Sequence, residues 1–297
     1  MSDPVRRIAD AVLYEGYLLW PYRRSALKNQ RRWTFGGVYP RAHSEAHPDD
    51  RWLMLTECLV KDSEDVDVRV RFLHVVRRRL YDGERFVDEL TVDGQHHVAW
   101  DEAVERDVGP GPIAITAGQE SDGPFVRSWE ALEGSVTVGS APVAEGVLRV
   151  TVEVANTTPF AGDREEALRR TFCSTHAVLR TARGEFVSIT DPPDDLRDPA
   201  AACRNDGAWP VLVEDGRTML ASAIILEDFP RIAPESPGDL FDGGEIDELL
   251  TLNVLSLTDE EKAEMRATDP RAREILERSE ALTEEQLLRL HGAVRRP

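Results

Sequence analysis

The sequence contains very few lysines, and this scarcity restricts its chemistry. Only three of its 36 basic residues are lysine, namely Lys28, Lys61 and Lys262. A Schiff base or a phosphate-binding lysine therefore has three candidates. None of the three follows a glycine, so a P-loop is excluded. The G-x-S-x-G and H-E-x-x-H patterns are also absent, and "GPGPIA" lacks the third glycine of a dinucleotide fingerprint. These missing motifs exclude several common catalytic chemistries.

Cysteines and long apolar runs are scarce as well. Three cysteines, Cys58, Cys173 and Cys203, cannot build a disulfide framework. Their odd number and apolar neighbours predict that they are buried and reduced. No window approaches 18 consecutive apolar residues, so we expect no membrane-spanning helix. The N-terminus also lacks a secretory apolar core with a cleavage site, and we therefore expect a cytoplasmic protein.

The charge of the chain is strongly negative. Its 55 acidic and 36 basic residues give a net charge of −19. Such a chain repels phosphate backbones at long range, so nucleic acid is not an expected partner. A hydrophobic fraction of 41% over 297 residues is sufficient for a buried core.

The central part of the chain shows the period-two pattern of β-strands. In 146–159 the valines at 150, 152 and 154 alternate with polar residues, which predicts one buried and one solvated face. Residues 105–124 are rich in Gly and Pro and are predicted as a loop. Further strands are predicted at 51–60, 66–80 and 217–226, with a hairpin at 174–190. We therefore predict an α+β fold, a β-rich body of sandwich-like antiparallel sheets with a C-terminal helical extension.

A change in composition divides the chain into two predicted parts. Residues 1–232 form the β-rich body, which begins with a helix capped by Asp3 and followed by the aromatic and basic segment. Residues 233–297 form an acidic linker and short helices. The sequences "TDEE" at 258–261 and "TEEQ" at 283–286 match the capping box that begins a helix.

Two histidine-containing motifs suggest metal binding. In "FCSTH", Cys173 and His176 have a ligand-like spacing, and Cys203 is the third candidate. A regular strand would place Cys173 and His176 on opposite faces, so only a bulge or turn would bring them together. In "HSEAH", His43 and His47 lie next to a proline, and we predict a solvated loop there.

Residues 14–41 hold seven of the chain's twenty aromatic residues, together with six basic residues and one acid. Three interpretations remain open for this stretch: stacking on single-stranded nucleic acid, binding of a protein partner, and packing inside this chain. The net charge opposes the first. The candidate partner-binding residues are Trp20, Tyr22, Arg23, Arg24, Lys28, Arg31, Arg32 and Trp33.

Four stretches together resemble one uncharacterised bacterial protein family. They are "VLYEGYLLWPYRRSALKNQRRWTFGGVYP", "STHAVLRTARGEFVSITDPP", "CRNDGAWPVLV" and the stretch from "IAPESPGDLF" to "RAREIL". The resemblance extends from about residue 9 to 292, and the family is associated with gene clusters for [NiFe] uptake hydrogenases. It implies an accessory or maturation role and supplies no catalytic residues.

The preferred interpretation is therefore a non-enzymatic scaffold or maturation factor that binds a [NiFe] hydrogenase subunit or precursor and needs no cofactor. The alternative is a metal-binding protein or metalloenzyme that holds a divalent metal with Cys173, His176 and Cys203. The sequence does not indicate an oligomeric state.

Overall fold

The computed structural model describes residues 8–10, 12–13, 36–63, 65–231, 251–268 and 270–283. Two antiparallel sheets dominate this part of the chain. The strands are β1 (Leu53–Lys61), β2 (Val66–Tyr81), β3 (Phe86–Val87), β4 (Glu89–Val92), β5 (Gln95–Val98), β6 (Trp100–Val108), β7 (Gly111–Ile115), β8 (Gly118–Asp122), β9 (Phe125–Trp129), β10 (Leu132–Ala144), β11 (Val147–Asn156), β12 (Cys173–Thr181), β13 (Glu185–Val187), β14 (Trp209–Val213) and β15 (Thr218–Ser222).

The first sheet has the order β13-β1-β11-β10-β7. The second has the order β14-β15-β12-β2-β9-β8, and β3 and β6 also pair with β2. A separate hairpin joins β4 and β5. The predicted α+β fold with sandwich-like antiparallel sheets is therefore confirmed.

One apolar cluster fills the space between the two sheets. The valines at 150, 152 and 154 on β11 share this cluster with Phe72 on β2 and Leu179 on β12. All of them are buried, as the alternation in the sequence predicts. Phe72 also stacks on Phe172, with ring centroids 4.7 Å apart. The inner faces of both sheets are therefore held together by aliphatic and aromatic packing.

Short helices are distributed around the sandwich. Helix α1 is described at 8–10 and 12–13, and it packs on the outer face of β12, β14 and β15 through residues such as Ile8 and Val12. The remaining helices are α2 (Arg41–Ala46), α3 (Arg164–Leu168), α4 (Arg197–Ala201), α5 (described at 251–255), α6 (Asp259–Thr268) and α7 (Pro270–Glu280). No helix among the described residues is long and apolar enough to cross a membrane.

The C-terminal helices pack beside the β4–β5 hairpin and reach the second half of β2 through Arg78. α6 packs on α7 and on β5. Arg78 of β2 is 5% exposed and donates hydrogen bonds to Ala267 O at 3.2 Å and Val98 O at 3.0 Å. The predicted capping box at the start of α6 is present: Thr258 N donates to the Glu261 carboxylate at 2.8 Å, and Glu261 N donates to the Thr258 hydroxyl at 3.3 Å.

The predicted loop at 105–124 is wrong. This stretch contributes the end of β6 and the whole of β7 and β8. One of its glycines is required by the packing of the sheet, because a Cβ at Gly118 would lie 2.5 Å from the ring of Trp129 on β9. Gly118 therefore serves close packing between two strands and does not mark an irregular connection.

The predicted hairpin at 174–190 is wrong in its pairing. The two strands form, but β12 pairs with β2 and β15, whereas β13 pairs with β1 in the other sheet. The connection at Gly184 therefore crosses from one sheet to the other. Gly184 has a φ of 73°, and a Cβ there would lie 1.9 Å from Lys61 O, so the crossing requires glycine.

Candidate functional site

The predicted partner-binding residues lie outside the described residues. These are Trp20, Tyr22, Arg23, Arg24, Lys28, Arg31, Arg32 and Trp33. The structure instead describes the two positions between which this stretch lies, Leu13 before it and Gly36 after it. We call residues 14–35 the aromatic-basic segment.

Leu13 and Gly36 both contact residues at the start of β12. Leu13 is fully buried in a small cluster with Leu73, Val75 and Cys173, on the outer face of the second sheet. Gly36 O accepts a hydrogen bond of 2.9 Å from Thr175 N. The next residues continue this attachment, because Val38 and Phe172 exchange two backbone hydrogen bonds of 2.9 and 3.0 Å. The described residues on both sides of the aromatic-basic segment therefore contact residues 172–175.

A bulge in β12 shapes this attachment point. Cys173 pairs with Leu73 and His176 pairs with Arg71, so three steps along β12 match two steps along β2. The extra residue is accommodated by Ser174, whose φ is 52°. Directly paired residues share a face, and Leu73 and Arg71 are two residues apart, so the bulge places Cys173 and His176 on the same outer face. A bulge was one of the two features that the sequence analysis named as able to bring Cys173 and His176 together.

The polar atoms of these two residues have separate partners. The Sγ of Cys173 lies 3.7 Å from Thr171 O and 4.0 Å from Leu168 O. The Nδ1 of His176 lies 3.2 Å from Ser174 O and donates to it, since a carbonyl can only accept. Full burial raises the pKa of the Cys173 thiol far above its usual range, so this thiol is a poor nucleophile.

His176 is held in its neutral form. It is fully buried, and this burial, together with the nearby Arg71 guanidinium, lowers its pKa to about 4. Since Nδ1 carries the proton, Nε2 is an acceptor, and this buried atom has no hydrogen-bond partner among the described residues. A buried acceptor without a partner is costly, which makes this a strained point of the outer face.

Arg71 connects three elements beside His176. Its side chain is 9% exposed, and Nη2 donates to Asp10 Oδ1 at 2.5 Å and to Glu105 Oε2 at 3.1 Å. Asp10 belongs to α1 and Glu105 to β6, so one guanidinium ties the helix to two strands. These contacts join residues 61 and 34 positions apart in sequence. The bulge, the buried His176 and Arg71 with its two partly exposed carboxylate partners form one polar site at the start of β12.

Cys203 lies on the far side of the sandwich. It packs against Leu59, Val187 and Leu196 on the outer face of the first sheet, with the central apolar cluster between it and Cys173. The structure therefore brings Cys173 and His176 to one face and does not bring Cys203 to them. Within the described ranges, no group of three or more His, Cys, Asp or Glu side chains could hold a metal ion.

The prediction of a loop at "HSEAH" is wrong, because residues Arg41–Ala46 form α2. The spacing of four residues brings the rings of His43 and His47 together, with centroids 4.4 Å apart. The Nε2 of His43 lies 2.9 Å from Asp50, which also accepts from Arg164 at 2.6 Å. His43 is 2% exposed and packs with Tyr39, so these side chains form a small structural core.

An exposed Arg–aromatic group was missed by the sequence analysis. The guanidinium of Arg79 lies 3.9 Å over the ring of Phe86, and Tyr81 meets the same ring edge-on at 5.5 Å. Tyr81 is 39% exposed and Phe86 is 46% exposed. The signal was present in "RRRLY", since Arg79 and Tyr81 occupy alternate positions of one strand. Arg and Tyr are typical of protein-binding surfaces.

A comparison with known protein families finds no matching family, and a comparison with curated proteins finds no match.

Proposed function

We propose that this chain is a non-enzymatic accessory protein of the cytoplasm that binds a subunit or an immature precursor of a [NiFe] uptake hydrogenase. The choice of partner follows from the family resemblance of the sequence. The proposal that the protein acts by binding is supported by the attachment of the aromatic-basic segment.

The observation that carries the proposal is that Leu13 and Gly36 each contact the start of β12. The segment between them has 22 residues and both of its flanks are fixed to one rigid sheet, by apolar packing on one side and backbone hydrogen bonds on the other. Binding segments are commonly presented in this way by a rigid scaffold. The segment is also rich in Trp, Tyr and Arg, the residue types that dominate binding energy at protein interfaces.

The arginines are the part of the segment that we assign to the partner surface. Burying an unpaired guanidinium costs several kcal/mol, whereas Trp and Tyr gain by burial. Arg23, Arg24, Arg31 and Arg32 are therefore proposed to contact acidic groups of the partner. This assignment requires that their removal weakens binding without destabilising the fold.

The proposal is tested by replacing these four arginines with Gln and measuring affinity for each purified hydrogenase subunit and for the subunit precursor. We expect the wild-type chain to bind one of them and the variant to lose about tenfold or more in affinity. The midpoint of thermal unfolding is expected to stay the same within about 2 °C.

A matched control changes the charge equally at other places. Arg183, Arg197, Arg217 and Arg231 are all exposed, and their replacement by Gln also removes four positive charges. The control is expected to keep wild-type affinity. Equal losses of affinity in both variants would assign the effect to long-range charge. A large drop in thermal stability of the first variant would show that its four arginines pair with acidic groups of this chain. Absence of binding by the wild-type chain would reject the hydrogenase assignment.

The metal-binding alternative has one supporting observation, the bulge that places Cys173 and His176 on one face with an unpartnered Nε2. It is tested by metal analysis of the protein purified without chelator. One tightly held equivalent of metal, lost on His176→Gln, would favour this alternative.

A further inference from the structure

Part of β10 has an edge without a neighbouring strand. β10 pairs with β11 from Gly134 to Ala144, but with β7 only from Leu132 to Val136. In the part of the chain that the structure describes, no strand pairs with the second edge of residues 137–144. Six of these eight residues are exposed, and the valines at 138 and 143 are half-buried.

The hydrogen bonds of the neighbouring residues show which backbone groups face this edge. Glu133 O accepts from Thr157 N at 3.0 Å, on the side of β11. Backbone groups alternate between the two sides of a strand, so odd-numbered residues of β10 bond to β11 and even-numbered residues point away from it. Consistently, Asn156 N of β11 donates to Trp52 O beyond the opposite side of β11. The N–H and C=O groups of Val138 and Ser140 therefore face the unpaired edge.

The composition of this edge is unusual for this chain. Residues 137–144 read TVGSAPVA and carry no charge, although 31% of the whole sequence is charged. Natural sheet edges are commonly protected by charged side chains, which prevent the addition of another strand. Only the end of this edge near Ala144 is protected. There Pro142 lacks an N–H, and the pairing register shifts between Pro142 and Ala144. The unprotected edge is thus limited to 137–141.

We propose that residues 137–141 bind an extended, uncharged segment of another polypeptide, which adds to the first sheet as a strand in line with β7. Four backbone hydrogen bonds to Val138 and Ser140 would hold it. Val138 packs against the central apolar cluster, so the bound segment would place an apolar side chain beside it. The small side chains of Gly139, Ser140 and Ala141 leave the backbone accessible.

A different protein suits this edge better than a second copy of this chain. Two copies with a net charge of −19 each repel one another, and a pairing of five residues buries little area to overcome that repulsion. This inference does not depend on the hydrogenase assignment, because it rests on the described edge alone.

The test uses a synthetic peptide that copies residues 111–117, GPIAITA, with both ends blocked. This peptide is uncharged, and it includes β7, which pairs with the adjoining part of the same edge. Amide hydrogen exchange is measured on the full chain. We expect the amides of Val138 and Ser140 to exchange rapidly in the isolated protein, while those of Gly139 and Ala141 exchange slowly. Saturating peptide is expected to slow Val138 and Ser140 by about tenfold or more.

Three variants and one modified peptide decide the outcome. Ser140→Pro removes an outward N–H and Ser140→Lys adds a charge, and both are expected to weaken peptide binding, whereas Ser140→Ala keeps it. A peptide with methylated backbone nitrogens is expected not to bind. Slow exchange of Val138 and Ser140 in the isolated monomer would show that the edge is already covered and would overturn the proposal. Equal binding of the methylated peptide, or concentration-dependent dimerisation abolished by Ser140→Lys, would overturn it as well.

Discussion

The two faces of the eight-stranded sheet are stabilised by different interactions, although the same strands form both. On the inner face, β2 places Val68, Val70 and Phe72 in the large apolar cluster between the sheets. On the outer face, the same strand places Arg71 against charged groups of α1 and β6, and Leu73 in the small cluster with Leu13. The inner face holds the sheets together. The outer face attaches the flank of the aromatic-basic segment at Leu13, whereas Val38, beyond the other flank, belongs to the central cluster.

This difference has a consequence for dynamics. The small outer cluster and a few polar contacts are expected to open locally at a lower free energy than the central cluster, because they bury less apolar surface. We expect the outer cluster to rearrange on binding without unfolding of the sandwich. We therefore expect, as the central claim, that the outer cluster and its polar contacts open independently of the sandwich core.

The largest effect is expected from a cavity in the inner face. Phe172→Ala removes a fully buried ring that stacks on Phe72, and we expect the free energy of unfolding to fall by about 3–5 kcal/mol. Urea denaturation of the variant measures this loss. A loss below about 1 kcal/mol would show that the central cluster does not dominate stability.

A smaller loss of unfolding free energy is expected from protonation of His176 on the outer face. The pKa of His176 in the folded chain is about 4, below the 6.5 that is usual for histidine, so below pH 6.5 the unfolded chain binds a proton that the folded chain does not. Stability from this group is complete above pH 6.5 and is lost progressively toward pH 4, by about 3 kcal/mol in total.

Comparison of two variants isolates this contribution. His176→Gln is expected to flatten the pH dependence of the unfolding free energy between pH 6.5 and 4. His96→Gln serves as the control, because the His96 side chain is 47% exposed. Equal slopes for the two variants would show that His176 is not held neutral.

A still smaller effect is expected from the ion pairs of Arg71. Arg71→Gln leaves Asp10 and Glu105 without their shared cation, but these carboxylates are 37% and 41% exposed and water compensates in part. We expect a loss of about 1–2 kcal/mol in unfolding free energy. We also expect faster hydrogen exchange in α1 than in β11. Uniform acceleration in both elements would indicate that the two faces are not independent.

The inner face could be predicted from the sequence and the outer face largely could not. The alternation of valines in β11 reports burial directly, because a strand exposes alternate residues to opposite faces. Arg71 meets Asp10 across 61 positions, and no local pattern indicates that contact. The bulge at Ser174 depends on the pairing of β12 with β2, which no local pattern indicates. The sequence could therefore name a bulge only as the condition under which Cys173 and His176 would share a face. The strands within 105–124 were missed because Gly and Pro usually indicate a loop, whereas here Gly118 is required by tight packing against Trp129.

The three free cysteines offer the most direct test of the central claim, because each reports on a different layer. Cys58 lies in the central cluster, Cys173 in the outer cluster, and Cys203 is half-buried beneath the other sheet, where burial raises its pKa to about 11. Thiol labelling of the native protein, followed residue by residue, is expected to modify Cys203 first. Cys173 follows at a rate that low concentrations of urea hardly change, and Cys58 reacts only through global unfolding. A common rate for Cys173 and Cys58 that follows global stability would contradict the account.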